Sequence, residues 1–485
     1  MKKFLSIILS ILIVAQSAWA LDRYVNPACE AACDGTTWEK GWATLADITW
    51  TDLDDETSNL YLGAGTYNEQ LNVTHNTTGS ILTIKPYNGL VTIDTNSAAT
   101  MAVRMNHGYV TIDGYYEGLT GSRGIRLTGS AYGIGHWNSG LSYITYRYLE
   151  VDTNDTHGIH INGTAGATTN LVMEYLYIHD NGAGGVGGDG IVGNVNSDQY
   201  GRATVRYCTI SGNLEDGINI GGGTDVYNNT IDMTGSENAT HPDAIQGSGG
   251  YHRIYNNTFI LPANQGIFIE TVDTDLPSVR IYNNTFNGGA PAVLLRIKNL
   301  VGEGNHTISD FLLANNTIDA TTFGLRIFQD VEGTTLTISS SEISNNIFYG
   351  SDPSHMLIHE AGTGTVTYTK AGLSVYSNVF YNPDAVGYNA SDDGGGPYDT
   401  AADLNTGTSF TGNTNSQPTF TNYAGGDYAL SSSDTAAKTA GKDLSAIFTV
   451  DRLGLTRTVP WSIGAYEYVE TGSIHGVTSM GVSKK

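Results

Sequence analysis

The chain has 485 residues, is 40% hydrophobic and 15% charged, and sets 48 acidic residues against 23 basic ones for a formal charge of −25. That balance excludes nucleic acid as a partner, because one polyanion repels another. An acidic glycan would meet the same repulsion unless a cation or a local basic cluster intervened.

Residues 1–20 read as an export leader: Lys2 and Lys3, an apolar run from Phe4 to Ala15, and Ala18-Trp19-Ala20 as a small-x-small cleavage site. The apolar run is too short to span a bilayer. No comparable stretch follows, so a secreted chain with no membrane span is expected, extracellular or at the cell surface. Loss of the leader removes two lysines and no acid and takes the formal charge to −27. Cys29 and Cys33 stand four apart, where an oxidising compartment permits a local disulfide. Cys208, between Tyr207 and Thr209, takes a strand position and reads as a small core residue.

From 59 to 390 the dominant signal is repetition. Tyr227-Asn228-Asn229-Thr230-Ile231 recurs as Tyr255-Asn256-Asn257-Thr258-Phe259 and Tyr282-Asn283-Asn284-Thr285-Phe286. Weaker copies follow at Asn315-Asn316, Asn345-Asn346 and Ser377-Asn378. The first Asn positions, 228, 256, 283, 315 and 345, are 28, 27, 32 and 30 residues apart. Spacing that wanders while the motif persists predicts stacked coils whose loops vary. Asn suits the corner because it tolerates the left-handed conformation and bonds backbone groups, so a ladder of stacked Asn side chains is expected. Half a coil away a turn residue precedes Gly or Ala and alternating apolar positions, as in Asp189-Gly190-Ile191, Asp216-Gly217-Ile218, Asp243-Ala244-Ile245 and Gln265-Gly266-Ile267. Period-two alternation makes these strands, with the isoleucines facing inward. Residues 391–415, rich in Gly, Asp, Thr and Ser, read as a loop or linker, and 471–485 as a polar tail.

The Asn series and the stacked Gly-Ile strands resemble the pectate-lyase-like superfamily over roughly 59–382. That resemblance implies an all-β chain folded as a right-handed, single-stranded parallel β-helix, a solenoid. Residues 21–58, with Tyr24-Val25-Asn26 and Trp42-Ala43-Thr44-Leu45, resemble the N-terminal cap of secreted members. Residues 416–470, with Gly426-Asp427-Tyr428 and Ile463-Gly464-Ala465-Tyr466-Glu467, are similar to the C-terminal end of exported proteins of the choice-of-anchor type, although Ser462 stands where those often carry Asp.

Outward columns on stacked strands bring together residues far apart in sequence. Asp189, Asp216 and Asp243 precede three successive strands; three stacked carboxylates repel one another, and Ca²⁺ would relieve that repulsion. Arg296 and Lys298 alternate onto one outward face, with Glu270 one coil earlier as an ion-pair partner for Arg296. Asp216, Asp243 and Arg296-Ile297-Lys298 resemble the successive-coil motifs of polygalacturonase-like glycosidases, although Pro242 and Asn264-Gln265 depart from them. The resemblance implies that the two carboxylates protonate the leaving oxygen and activate water, while the Arg-Lys pair binds a substrate carboxylate. A lyase is the neighbouring alternative: a base removes the proton beside a uronate carboxylate, and Arg296 or Lys298 serves as base or charge stabiliser. His241, His252 and Arg326 are further candidates near that face, and Asn219 and Gln246 offer hydrogen bonds to a glycan. His157 and His160 are assigned no metal.

The expectation is a monomeric, secreted, polysaccharide-active protein, a lyase or glycoside hydrolase on a uronate-containing extracellular glycan, with no certain cofactor beyond candidate Ca²⁺. The rival from another class is a non-catalytic surface or glycan-binding rod on the same scaffold.

Overall fold

In the computed structural model the described residues are 21–53, 57–74, 79–138, 140–161, 168–185, 187–193, 202–236, 242–298, 304–329, 334–350, 355–358, 367–369, 372–382, 405 and 409–470. The leader at 1–20, the tail at 471–485, most of the 391–415 linker and His241 lie outside them. The chain is the expected all-β, right-handed parallel β-helix. Each coil contributes to two strand ladders that flank the Asn corner and to a third, eleven-stranded ladder running from Leu71–Val73 to Met356–Ile358. A short four-stranded ladder, Leu276–Pro277 to Thr367–Thr369, widens the later coils. No helix among the described residues is long and apolar enough to cross a membrane.

Inward alternation builds one continuous core. Ile159, Ile191, Ile218, Ile245, Ile267, Val293 and Leu325 stack in a single column, each at most 1% exposed. Rungs repeat at the strand spacing of roughly 4.8 Å. Cys208 is buried in this core, and Cys29 and Cys33 form the expected local disulfide.

The two asparagines of each repeat divide the work of the corner. The first, at 228, 256, 283, 315 and 345, sits at φ between 50 and 58°, the left-handed region that lets the chain turn from one ladder to the next. The second faces inward and forms the ladder: Asn229, Asn257, Asn284, Asn316, Asn346 and Asn378 each accept the N–H of the previous member. Upstream, Tyr148, Tyr175 and Tyr207 occupy the corner at φ 55–56°, so the Asn repeat stops being readable while the coils continue. A separate ladder of Asn154, Asn181 and Asn213 supports another corner of these early coils.

Asn316 shows what the ladder is worth. Its Nδ2 donates to Ile281 O, Ala314 O and Asn346 Oδ1 at 3.0–3.1 Å, and its Oδ1 accepts both the N–H and the Nδ2 of Asn284. Asn316→Ala strips these buried partners at once, and each orphaned group costs roughly 1–3 kcal/mol, softened by local rearrangement. Urea unfolding should therefore show a loss of about 2–3 kcal/mol, whereas Asn228→Gly, at a half-buried left-handed corner, should be near neutral.

The 416–470 segment, expected as a C-terminal cap, lies along the side of the stack. Leu430, Ala437 and Ile463 cover Ile347, Tyr349 and Val379, while Leu444 and Trp461 cover Leu312 and Ala314. Those covered positions face outward by parity, and their apolar character is the reason a second layer is needed there. The segment is pinned by the first-Asn column: Asn283 Nδ2 donates to Val450 O, Asn315 Nδ2 to Ser462 O, and Asn345 Nδ2 to Lys442 O.

Candidate functional site

The eleven-stranded ladder presents its outward side chains as columns. In one column Asn219, Gln246, Phe268, Leu294 and Arg326 stand on consecutive rungs. Two residues further along the strands, Ser248, Glu270, Arg296 and Phe328 form the next column, and Lys298 stands opposite Val272 in a third. The strand register thus gathers Glu270, Arg296, Lys298 and Arg326 on one face, as the sequence alternation indicated. Arg296 Nη1 lies 3.2 Å from Glu270 Oε2. Phe328 lies between two guanidinium groups, with Arg326 Cζ 4.6 Å and Arg296 Cζ 5.6 Å from its ring centroid. That aromatic plate holds both cations in place, since the negative face of the ring attracts them.

The aspartate column faces the other way. Strand parity carries Asp189, Asp216 and Asp243 inward with the isoleucines, and they are 4%, 6% and 1% exposed. The expectation that they form an outward column is corrected by that burial. Their carboxylates act as rungs of a ladder: Asp189 Oδ1 accepts the N–H of Asp216 at 3.0 Å, and Asp216 Oδ1 accepts that of Asp243 at 2.8 Å. Both carboxyl oxygens of Asp243 are buried and find no partner among the described residues. Loss of hydration, then mutual repulsion, raises the Asp189 pKa to about 8 and the Asp243 pKa to about 9; burial raises that of Asp216 to about 7. One link reaches the outer face: Asn219 Nδ2 donates to Asp216 Oδ2 and to Gln246 Oε1, both at 3.0 Å.

The trio does not fit Ca²⁺. Two of its oxygens are already spent on backbone N–H groups, and a hard cation demands several convergent, ionised oxygens. Among the described residues the one group whose ligand atoms converge is Glu150, Asp152 and His179, on a different ladder. There Arg126 already grips Asp152, at 2.8 Å from Nε to Oδ1, which makes the group an ion-pair cluster.

His252, expected at the substrate face, is 1% exposed and lies inside, with Nε2 3.3 Å from Ser248 O. Its burial lowers its pKa to about 4, so it stays neutral and packs beneath Gly247. His157 stands in the aspartate column, beside an acid that the sequence reading did not give it: Asp189 N–H donates to His157 Nδ1 at 3.2 Å. The signal was available, because His157 precedes Gly158-Ile159 as Asp189 precedes Gly190-Ile191. His160 points outward instead, against Tyr132 at 4.7 Å between ring centroids.

No protein-family model matches the chain, and no curated protein matches it. Among solved structures it is similar to XylC in its complex with xylose, with 8% identity over 93% of this chain and 98% of that one and a TM-score of 0.56. It also matches pectate lyase Pel9A, with 14% identity over 92% and 96% and a TM-score of 0.44. A further match is the A-module of the Azotobacter vinelandii mannuronan C-5 epimerase AlgE6, with 16% identity over 70% and 95% and a TM-score of 0.34. At such identities the likeness is one of fold.

Proposed function

We propose that this is an exported protein that binds and cleaves a uronate-containing polysaccharide along the outward face of the eleven-stranded ladder. One observation carries the reading. In a chain of formal charge −25, Arg296, Lys298 and Arg326 collect on one face of adjacent strands, beside the aromatic plate of Phe328. Such a cluster supplies the local basic surface that an acidic glycan needs to approach a strongly acidic protein. A guanidinium fork matches a carboxylate in shape as well as charge.

The chemistry this patch fits is β-elimination. Arg326 and Arg296 neutralise the uronate carboxylate, which stabilises the negative charge that develops when the neighbouring C–H bond breaks. Lys298, about 7 Å along the strand from Arg296, takes that proton as the free amine, having released its own proton to solvent. The electron pair forms a carbon–carbon double bond, the glycosidic C–O bond breaks, and the leaving oxygen takes a proton from water. Glu270 fixes Arg296 by its ion pair. Hydrolysis would instead require two carboxyl groups touching the substrate, and the inward orientation of Asp243 weighs against it as one of them. A non-catalytic glycan-binding rod is the second reading, and the existing Glu270–Arg296 pair favours it, since such a bridge between rungs is stabilising without any substrate.

Incubation with pectic, alginate and neutral glycans separates these readings. Ultraviolet absorbance from unsaturated uronates should rise with an acidic glycan, and Arg296→Gln should lower kcat/KM by about 10²–10³-fold. New reducing ends without absorbance would identify a hydrolase. Retained binding with neither signal would leave the binding rod.

A further inference from the structure

Eight rungs before Arg326 in the same outward column stands Arg104, with Gly135 and His160 on the next two rungs. At the strand spacing of roughly 4.8 Å this is about 38 Å from the basic patch. Here the ladder opens into a cleft of about 350 Å³ lined by Gln70, Ala99, Thr100, Met101, Arg104 and Trp137. Trp137 is 51% exposed, an unusual position for the largest apolar side chain. Its ring centroid lies 5.8 Å from Arg104 Cζ. Arg104 Nε is buried and has no hydrogen-bond partner among the described residues. Met101, one of the lining residues, packs over Gly135, where a Cβ would stand 2.3 Å from Met101 Sδ. Gln70 is held by its Nε2, which donates to Met101 O at 2.9 Å, and that leaves Oε1 as an acceptor for a hydroxyl.

We propose that this cleft is a separate saccharide subsite that takes one uronate residue. The apolar face of the sugar ring lies on Trp137, its carboxylate meets Arg104, and a hydroxyl donates to Gln70. A flat aromatic ring beside an arginine fork is suited to a ring that is apolar on its face and anionic at its edge. The ligand class rests on the acidic-glycan reading above, but nothing in the subsite depends on cleavage. A long chain lying along the column reaches both places and gains from their linkage, whereas a short oligomer fills one at a time.

The test is calorimetric titration of the full chain carrying Arg296→Gln, so that turnover is suppressed and the heat reports binding, the share of the cleft being what Trp137→Ala and Arg104→Gln remove. The ligands are a short oligouronate and an uncharged oligosaccharide of equal length. Trp137→Ala should weaken oligouronate binding tenfold or more with an unchanged melting temperature, and Arg104→Gln should abolish the preference for the acidic ligand. Binding unaffected by either substitution overturns the subsite. Loss with Trp137→Ala but equal binding of both ligands overturns the uronate assignment. Because the readout is heat of binding, an absence of cleavage on every glycan leaves this test intact.

Discussion

Replacement of Arg457 by Ala should cost about 3–5 kcal/mol of stability, the scale for breaking a buried ion pair from one side. Arg457 lies in the C-terminal segment with its side chain 0% exposed, and Glu467 beside it is 3% exposed. Its Nη2 donates to Asn283 Oδ1 at 2.8 Å and to Gly464 O at 3.0 Å, and its Nη1 donates to Ser462 O at 3.2 Å. The guanidinium also stands over the Trp461 ring at 5.4 Å. Burial lowers its pKa to about 10, which still leaves it charged at neutral pH. Alanine would take the counter-charge from Glu467, which keeps its bonds from Thr458 and Ser462, and leave the Asn283 oxygen without its donor. Arg457→Lys keeps the charge but loses the planar fork, so an intermediate loss is expected.

The same substitution tests how the segment is attached. Residues 416–470 cover outward apolar positions of the later coils, so their release would expose Leu312, Ala314, Ile347 and Val379. Limited proteolysis should therefore cut Arg457→Ala within 416–470 before the coils are touched, and thermal unfolding should separate into two steps. A loss under about 1 kcal/mol with unchanged proteolysis would show that the apolar cover alone holds the segment.

These contacts mark where sequence reasoning reached and where it stopped. The later coils were legible because the Asn-Asn pair repeats at their corners from 228 to 346, and both its parts are local: one residue adopts positive φ, and the other hydrogen-bonds to the same residue one rung away. The outward cluster of Arg296, Lys298 and Arg326 was legible by strand parity once the rungs were counted. The segment docking was not, because Asn283 meets Arg457 across 174 residues and nothing near Asn283 announces it. A partial sign was present in Leu312-Leu313-Ala314 and Ile347-Phe348-Tyr349, where the outward position is also apolar. The aspartates were misdirected for a physical reason. They precede the strand at a turn, where parity does not fix direction, yet a protonated or backbone-bonded carboxyl stacks inward much as asparagine does.

That column makes stability depend on pH with an unusual sign. An unfolded aspartate titrates near 3.8, whereas Asp216, Asp189 and Asp243 in the fold are raised to about 7, 8 and 9, mainly by loss of hydration. Between those limits the folded chain holds protons that the unfolded chain has released. Stability is therefore fully present below about pH 4, falls as pH rises, and stops falling once the folded groups have ionised. Each group in that window contributes a slope of about 1.4 kcal/mol per pH unit. The melting temperature should accordingly drop as the buffer is taken from pH 5 to pH 9. Asp243→Asn is the informative variant, since neither carboxyl oxygen of Asp243 has a donor to lose and Gln265 Oε1, on the facing residue, is buried without a partner. An amide there keeps the shape, removes the charge and offers Gln265 a donor. The variant should melt above the parent at pH 9, by a smaller margin at pH 5, match it only below about pH 4, and show a shallower slope between. A melting temperature that is flat or rises from pH 5 to pH 9, or an unchanged slope in Asp243→Asn, would mean that the column is ionised in the fold and held by a counter-charge.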